Sequence, residues 1–226
     1  MSVDEAHRMV DRQIARRGVT DAAVLEAMRT VPRERFVPEH LRGEAYEDRP
    51  LPIGEGQTIS QPYVVALMAA ALELTPGDRV LEVGAGSGYA AAVLGQIADE
   101  VVAIERHESL ARASANRLAE LGYTNVRVIT GDGTLGAPDN APFDAILVSA
   151  GAPEVPQPLL DQLAEGGRLV IPIGGKRGSQ ELLKVVREGP GRYHETSLGK
   201  VQFVPLVGDR GWQGGDPASG THSPLK

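Results

Sequence analysis

The sequence predicts an α/β fold: a mostly parallel central sheet with helices on both faces, antiparallel strands at its C-terminal end and a helical elaboration in front. Three observations predict it. Between residues 75 and 187, short runs rich in Val and Ile alternate with stretches long enough for helical crossovers. A glycine-rich turn follows the first of those runs and opens a helix. The last two apolar runs have no helix between them, only the turn signal Gly189-Pro190-Gly191, which implies an antiparallel pair closing the sheet.

The elements follow in chain order. Met9, Val10 and Ile14 share one face of a first helix, and Val24, Leu25 and Met28 share one face of a second. Gly18 separates them, with Thr20 or Asp21 as the N-cap of the second. Pro32, Pro38 and Pro50 then break the chain into loops. Another apolar helix is expected over 64–72. Strands are expected over 79–83, 101–105, 126–129, 145–149 and 168–173, with helices over 89–98, 110–121 and 158–164. The closing pair falls on 182–186 and 196–204. The chain of 226 residues divides into a helical elaboration (1–50) packed on a core (51–212) and a Gly-, Ser- and Pro-rich tail (213–226) expected to be disordered.

Composition removes whole classes of function. There are no cysteines, which excludes a disulfide framework, a thiolate metal site and a cysteine nucleophile. A net charge of -7 argues against nucleic acid as a partner, and 4% aromatics are too few for a base-stacking platform. The apolar stretches fall far short of the roughly 20 residues that span a bilayer, so no membrane is expected. The start Met1-Ser2-Val3-Asp4-Glu5 is unlike a signal peptide, and a cytoplasmic monomer is the expectation. The five histidines (His7, His40, His107, His194 and His222) do not pair at ligand spacing, so no metal is expected.

The sharpest motif is Glu82-Val83-Gly84-Ala85-Gly86-Ser87-Gly88, followed by Tyr89. Glycines let the backbone turn tightly and bring its N–H groups against a ligand. The dinucleotide pattern GxGxxG would need glycine where Tyr89 stands; ExGxGxG is instead the pattern of S-adenosyl-L-methionine-dependent methyltransferases. Glu105 ends the next strand, where an acid can take both ribose hydroxyls, or be a solvated strand-end carboxylate. Asp132, in Gly131-Asp132-Gly133, is placed to accept an adenine amino group, or to shape a turn between two glycines. All three lie at the carboxyl ends of consecutive strands, where open α/β sheets bind ligands.

A further run, Gln57-Thr58-Ile59-Ser60-Gln61-Pro62, is not something a generic methyltransferase needs. Together with the glycine loop, Gly131-Asp132-Gly133, residues 143–174 and Val201-Gln202-Phe203-Val204-Pro205-Leu206, it resembles the protein-L-isoaspartate O-methyltransferase family over about residues 7 to 212. The resemblance implies a Rossmann-like class I methyltransferase that repairs proteins. The free α-carboxylate of an L-isoaspartyl residue is methylated, S-adenosyl-L-homocysteine is released, and the ester collapses to a succinimide. It implies that Gln57, Thr58, Ile59, Ser60, Glu82, Gly84, Ala85, Gly86, Gly88, Glu105, Arg106, Asp132 and Gly133 hold the donor. Ser60 matches the family's active-site position, and Ser60, Ala150, Gly151, Val204, Pro205 and Leu206 would meet isoaspartyl proteins and peptides.

The residues fit that chemistry. A carboxylate is already ionised at pH 7 and a sulfonium is a good leaving group, so neither a base nor an acid is required. In-line positioning and exclusion of water remain to be supplied. Ser60 also reads as an N-cap of the following helix, whose N-terminus would suit a carboxylate. The small residues after the fourth strand would let a peptide approach, or form a proline-ordered loop. The strand over 201–206 would pair with an extended peptide, or simply close the sheet. Trp212 is expected to pack the last ordered turn. Three other readings stay open: an aspartyl methyltransferase dedicated to one biosynthetic peptide, an RNA methyltransferase, and a non-catalytic adaptor that binds the donor and isoaspartyl sites.

Overall fold

A computed structural model describes residues 2–176 and 178–213. After a two-stranded hairpin, β1 (Leu51–Gly54) and β2 (Gln57–Ile59), seven strands form the main sheet in the order β5 (Val126–Thr130), β4 (Glu100–Glu105), β3 (Arg79–Val83), β6 (Phe143–Val148), β7 (Leu163–Gly174), β8 (Gln180–Gly189) and β9 (Arg192–Val201). β3, β4, β5, β6 and the start of β7 run parallel. β8 and β9 close the sheet antiparallel, as their lack of a crossover helix requires. The strand order reverses at β3, which pairs with β4 on one side and β6 on the other. The crevice above the carboxyl end of β3 is therefore the topological switch point, and the glycine loop stands there.

The strands read as continuous apolar runs because both faces of the sheet are covered. Leu81, Val83, Val102, Ile104, Ile146 and Val148 pack on one side, and Val80, Val101, Ala103, Ala145 and Leu147 on the other. The second side also takes Met9, Val10 and Ile14 from the N-terminal helical segment that begins with α1 (Ser2–Met9), and Val24 and Met28 from α2 (Ala22–Thr30). Asp21 caps α2, accepting the Val24 N–H at 2.9 Å. α3 (Pro62–Ala71) and α4 (Tyr89–Gly95) share this layer, while α5 (Glu108–Glu120) lies beside β4 and β5.

Among the element bounds that differ from the sequence reading, two bear on the site. The helix expected over 158–164 is one short turn, α6 (Gln157–Asp161), because Leu163 is drawn into β7 opposite Phe143 and fully buried there. The last strand ends at Val201, three residues before its expected end. Beyond it the chain leaves the edge and crosses the top of the sheet: Gly151 N–H donates to Val204 O at 2.8 Å, and Leu206 N–H donates to Gly151 O at 2.8 Å. The expected disordered tail lies outside the described residues except for Gln213. No helix among the described residues is long and apolar enough to cross a membrane.

Candidate active site

The glycine loop is pinned from below and behind. Gly84 and Ala85 both donate their N–H groups to Ile104 O, at 2.8 and 3.0 Å, and Gly88 N–H closes a turn on Ala85 O at 2.7 Å. Gly86 and Gly88 have φ of 52° and 86°, in the left-handed region that favours glycine. A Cβ on Gly86 would stand 3.2 Å from Ile53 Cδ1, and one on Gly88 3.1 Å from Ser114 Cβ. The first is crowded by a hairpin folded over the loop, β1 (Leu51–Gly54) and β2 (Gln57–Ile59). The second is crowded by α5. Gly88 therefore serves the packing of α4 against α5.

Glu105 faces the loop from the end of β4 and is 4% exposed. Its Oε2 accepts the Gly86 N–H at 2.9 Å and its Oε1 accepts the His107 N–H at 2.9 Å. Glu82, at the carboxyl end of β3, is 1% exposed, and its nearest hydrogen-bonding contact is the Ser149 hydroxyl at 3.5 Å. Burial, reinforced by the neighbouring Glu105 carboxylate, pushes the Glu82 carboxyl well above the usual carboxylate range.

Three hollows meet above β3. The first is a groove lined by Gln57, Thr58, Gly84, Gly86, Glu105, Arg106, Gly133, Ala150, Val204, Pro205 and Leu206, together with His107 and Ser149. The second lies between the hairpin and the glycine loop and takes in Thr58, Ile59, Ser60, Glu82, Ala85 and Ser149. The third is a broad cleft of about 810 Å³ between α3 and β9, walled by Arg17, Ser60, Gln61, Tyr63, Lys200 and Phe203. Thr58 and Ser149 line all three. Ser149 opens the run of small residues after the fourth strand that the sequence offers to a peptide, but it is not among the residues picked for the site. The signal available was its position, as the first residue after the strand that flanks β3.

Three sequence-derived candidates stand outside the hollows. Gly88 packs as described. Asp132 Oδ1 accepts the Thr134 N–H and hydroxyl at 2.9 and 2.7 Å, and its Oδ2 accepts the Asp209 N–H at 2.7 Å. Burial alone would raise the Asp132 carboxyl, but these donors bring it below its ordinary range. Gly151 is small for an internal reason: a Cβ there would fall 2.3 Å from the Gln180 amide nitrogen, which is buried beneath it. Trp212 packs the final turn as expected, donating from Nε1 to Gly151 O at 3.0 Å.

Ser60 does not cap α3; the N-cap residue is Gln61, without a side-chain cap of its own. The cap comes from Asp48, whose Oδ1 accepts the Tyr63 N–H at 3.1 Å while Oδ2 accepts from the Gln61 side chain at 2.6 Å and from Arg17 at 2.7 Å. Ser60 is free for another use at the rim of two hollows.

The groove suits the methyl donor. Glu82 Oε2 and His107 Nε2 are buried without a hydrogen-bond partner, and both residues line the hollows. Such atoms call for the ammonium and hydroxyl groups that S-adenosyl-L-methionine carries.

The family model described as protein-L-isoaspartate(D-aspartate) O-methyltransferase (PCMT) matches residues 4–211. A protein-L-isoaspartate O-methyltransferase of Protochlamydia amoebophila is 57% identical over 205 residues, 91% of this chain and 98% of its own. One from Pelobacter propionicus, numbered 2, is 59% identical, covering 90% and 91%. A solved protein-L-isoaspartate O-methyltransferase superposes with a TM-score of 0.81 at 30% identity, over 92% of this chain and 67% of that one. A Plasmodium falciparum structure given the same family name, in complex with S-adenosyl-L-homocysteine, superposes at 0.76 and 29%, covering 89% and 98%.

Proposed function

The chain belongs to the protein-L-isoaspartate(D-aspartate) O-methyltransferase family, and from that premise we propose that it methylates the free α-carboxylate of L-isoaspartyl residues in damaged proteins and peptides. S-adenosyl-L-methionine, when bound, supplies an electrophilic methyl group on a cationic sulfur and leaves as S-adenosyl-L-homocysteine. A carboxylate oxygen forms the new bond to carbon as the carbon–sulfur bond breaks, so no proton has to move. The methyl ester is then closed by the neighbouring main-chain nitrogen, with loss of methanol, into a succinimide.

The residues have positional work to do. Glu105, Glu82 and the glycine loop hold the donor against the end of β3. The hairpin residues Gln57, Thr58 and Ile59 cover it and exclude water. Ser60 orients the acceptor carboxylate where the cleft between α3 and β9 reaches the donor groove. The segment Val204-Pro205-Leu206 walls the groove from above, and the cleft beside it receives the peptide. The observation that carries this reading is that Thr58 and Ser149 line both the donor groove and the peptide-sized cleft, so one point touches both.

The experiment is to incubate the purified chain with methyl-labelled S-adenosyl-L-methionine and two peptides that differ only in one isoaspartyl or aspartyl linkage. Base-labile label on the isoaspartyl peptide alone is expected. Label on neither, with donor binding intact, overturns the reading.

A further inference from the structure

Arg33 is fully buried and has no carboxylate partner among the described residues. Its Nε donates to Ala45 O at 2.7 Å, its Nη2 donates to Ser60 O at 2.7 Å, and its guanidinium carbon lies 4.6 Å from the centre of the Tyr89 ring. Nη1 has no hydrogen-bond partner. A buried charge without a counter-ion is costly, and here two main-chain carbonyls and a ring face are what offset it. The contacts of Arg33 join two parts of the site. It touches the residue at the acceptor rim, Ser60, and the first residue of α4 after the glycine loop, Tyr89.

The Ser60–Gln61 peptide is trans. In a trans peptide the C=O and the following N–H point in opposite directions. Because Ser60 C=O is turned inward to Arg33, the Gln61 N–H points the opposite way, and Ser60 and Gln61 both line the cleft. No acceptor for that N–H is found among the described residues. The neighbouring donors at the start of α3 are already used or missing. Pro62 has none, Tyr63 donates to Asp48, and Val64 and Val65 donate to Gln61 O at 3.0 and 3.1 Å. A cation on the carbonyl side also polarises the peptide and strengthens its N–H as a donor.

We propose that Arg33 is a positioning residue: it turns and polarises the Ser60–Gln61 peptide so that the Gln61 N–H holds the spectator oxygen of the acceptor carboxylate. The other oxygen is then left free to take the methyl group. This rests on the reading of Ser60 as the acceptor site.

The test compares wild type with Arg33→Met, Arg33→Lys, Gln61→Pro and Gln61→Ala, measuring unfolding midpoint, donor affinity, and kcat and KM for an isoaspartyl peptide. Gln61 has φ -50° and ψ 133°, which proline accepts, so Gln61→Pro removes the N–H with little change of backbone. Arg33→Met is expected to lower the midpoint, because Ala45 O and Ser60 O lose their donor. Assayed where it is fully folded, it is expected to keep donor affinity while kcat/KM for the peptide falls about 10- to 100-fold, the scale of one lost hydrogen bond that binds and orients a charged group. Arg33→Lys restores part of that loss. Gln61→Pro loses a similar factor relative to Gln61→Ala, and combining it with Arg33→Met adds little, because both act on one hydrogen bond. If Arg33→Met does not fold, the Lys variant and the proline comparison carry the test. The proposal is overturned if folded Arg33→Met, or Gln61→Pro relative to Gln61→Ala, keeps kcat/KM within threefold. It is also overturned if the losses follow donor affinity or the folded fraction. Wild-type protein that labels no isoaspartyl peptide overturns the functional reading, and the proposal with it.

Discussion

Glu105 holds Gly86: the carboxylate at the end of β4 accepts the loop N–H at 2.9 Å, and its second oxygen accepts the His107 N–H at the same distance. One side chain thus fixes both the glycine loop and the turn into α5. Each oxygen keeps a lone pair for a ligand hydroxyl. Glu105→Gln replaces one acceptor by an NH2 group and sets it against a backbone N–H. A loss of about 1–3 kcal/mol in stability is expected from the buried mismatch, with donor affinity reduced more than tenfold. Calorimetric titration with S-adenosyl-L-homocysteine checks this; affinity within twofold of wild type would show that the loop does not depend on Glu105.

Glu82 makes stability depend on pH in a particular direction. Its folded pKa is raised by burial and by Glu105, so the folded state holds the proton more tightly than the unfolded chain. The stabilisation linked to that proton is complete below the unfolded value of about 4.3. It is lost as pH rises towards and through the folded value. Glu82→Gln should therefore match wild type in acid and become the more stable protein as pH increases. Urea unfolding of both proteins between pH 4 and 9 measures the difference, and parallel curves would remove Glu82 from the account. Asp78 and Asp132, both held below the usual range, act in the opposite sense at low pH in both proteins and cancel in the comparison.

The sheet was legible because its strands are continuous apolar runs bounded by glycines, and the donor groove because strand ends collect ligands in such sheets. Asp21 was legible as a cap because its acceptor and the Val24 N–H are three residues apart. The cap of α3 was not, since Asp48 reaches Tyr63 across 15 residues and a proline turn. Local pattern offered Ser60 instead. Arg33 was invisible for a similar reason: in Arg33-Glu34-Arg35 nothing local separates the buried guanidinium from a solvated one. Gly88 and Gly151 were legible as glycines near the site, but their crowding by Ser114 and Gln180 comes from tertiary packing. Burial and the crossing of 204–206 over Gly151 depend on the assembled fold.

The exchange of roles between Ser60 and Asp48 separates stability from turnover. Asp48→Ala removes the acceptor for Tyr63 N–H and releases Arg17, which lies 3.3 Å over the Tyr63 ring. A cost of about 0.5–2 kcal/mol is expected, as for other lost caps. Ser60→Ala caps nothing, so its unfolding midpoint should stay near wild type while kcat/KM for an isoaspartyl peptide falls. Thermal unfolding and steady-state kinetics on both variants decide it. Full turnover and an unchanged peptide KM in Ser60→Ala would end the role proposed for Ser60.

Asp132 ties down the chain that crosses the groove. Its two oxygens bind Thr134 and the Asp209 N–H, and Thr134 Oγ1 in turn accepts the Arg210 N–H at 3.0 Å. The approach is close enough that a Cβ on Gly208 would fall 2.0 Å from Asp132 Oδ1. Asp132→Ala leaves the Asp209 N–H unpaired and should loosen residues 204–212, which wall the groove through Val204, Pro205 and Leu206. Exchange of the Asp209 and Arg210 amides should quicken at least tenfold, while those of β3 and β4 stay protected, because the sheet beneath loses no contact. Peptide KM should rise more than kcat falls, since the segment closes over the site without supplying a reacting group. Hydrogen exchange read beside the kinetics checks both halves. A KM unchanged despite faster exchange would mean that this crossing segment serves the fold alone.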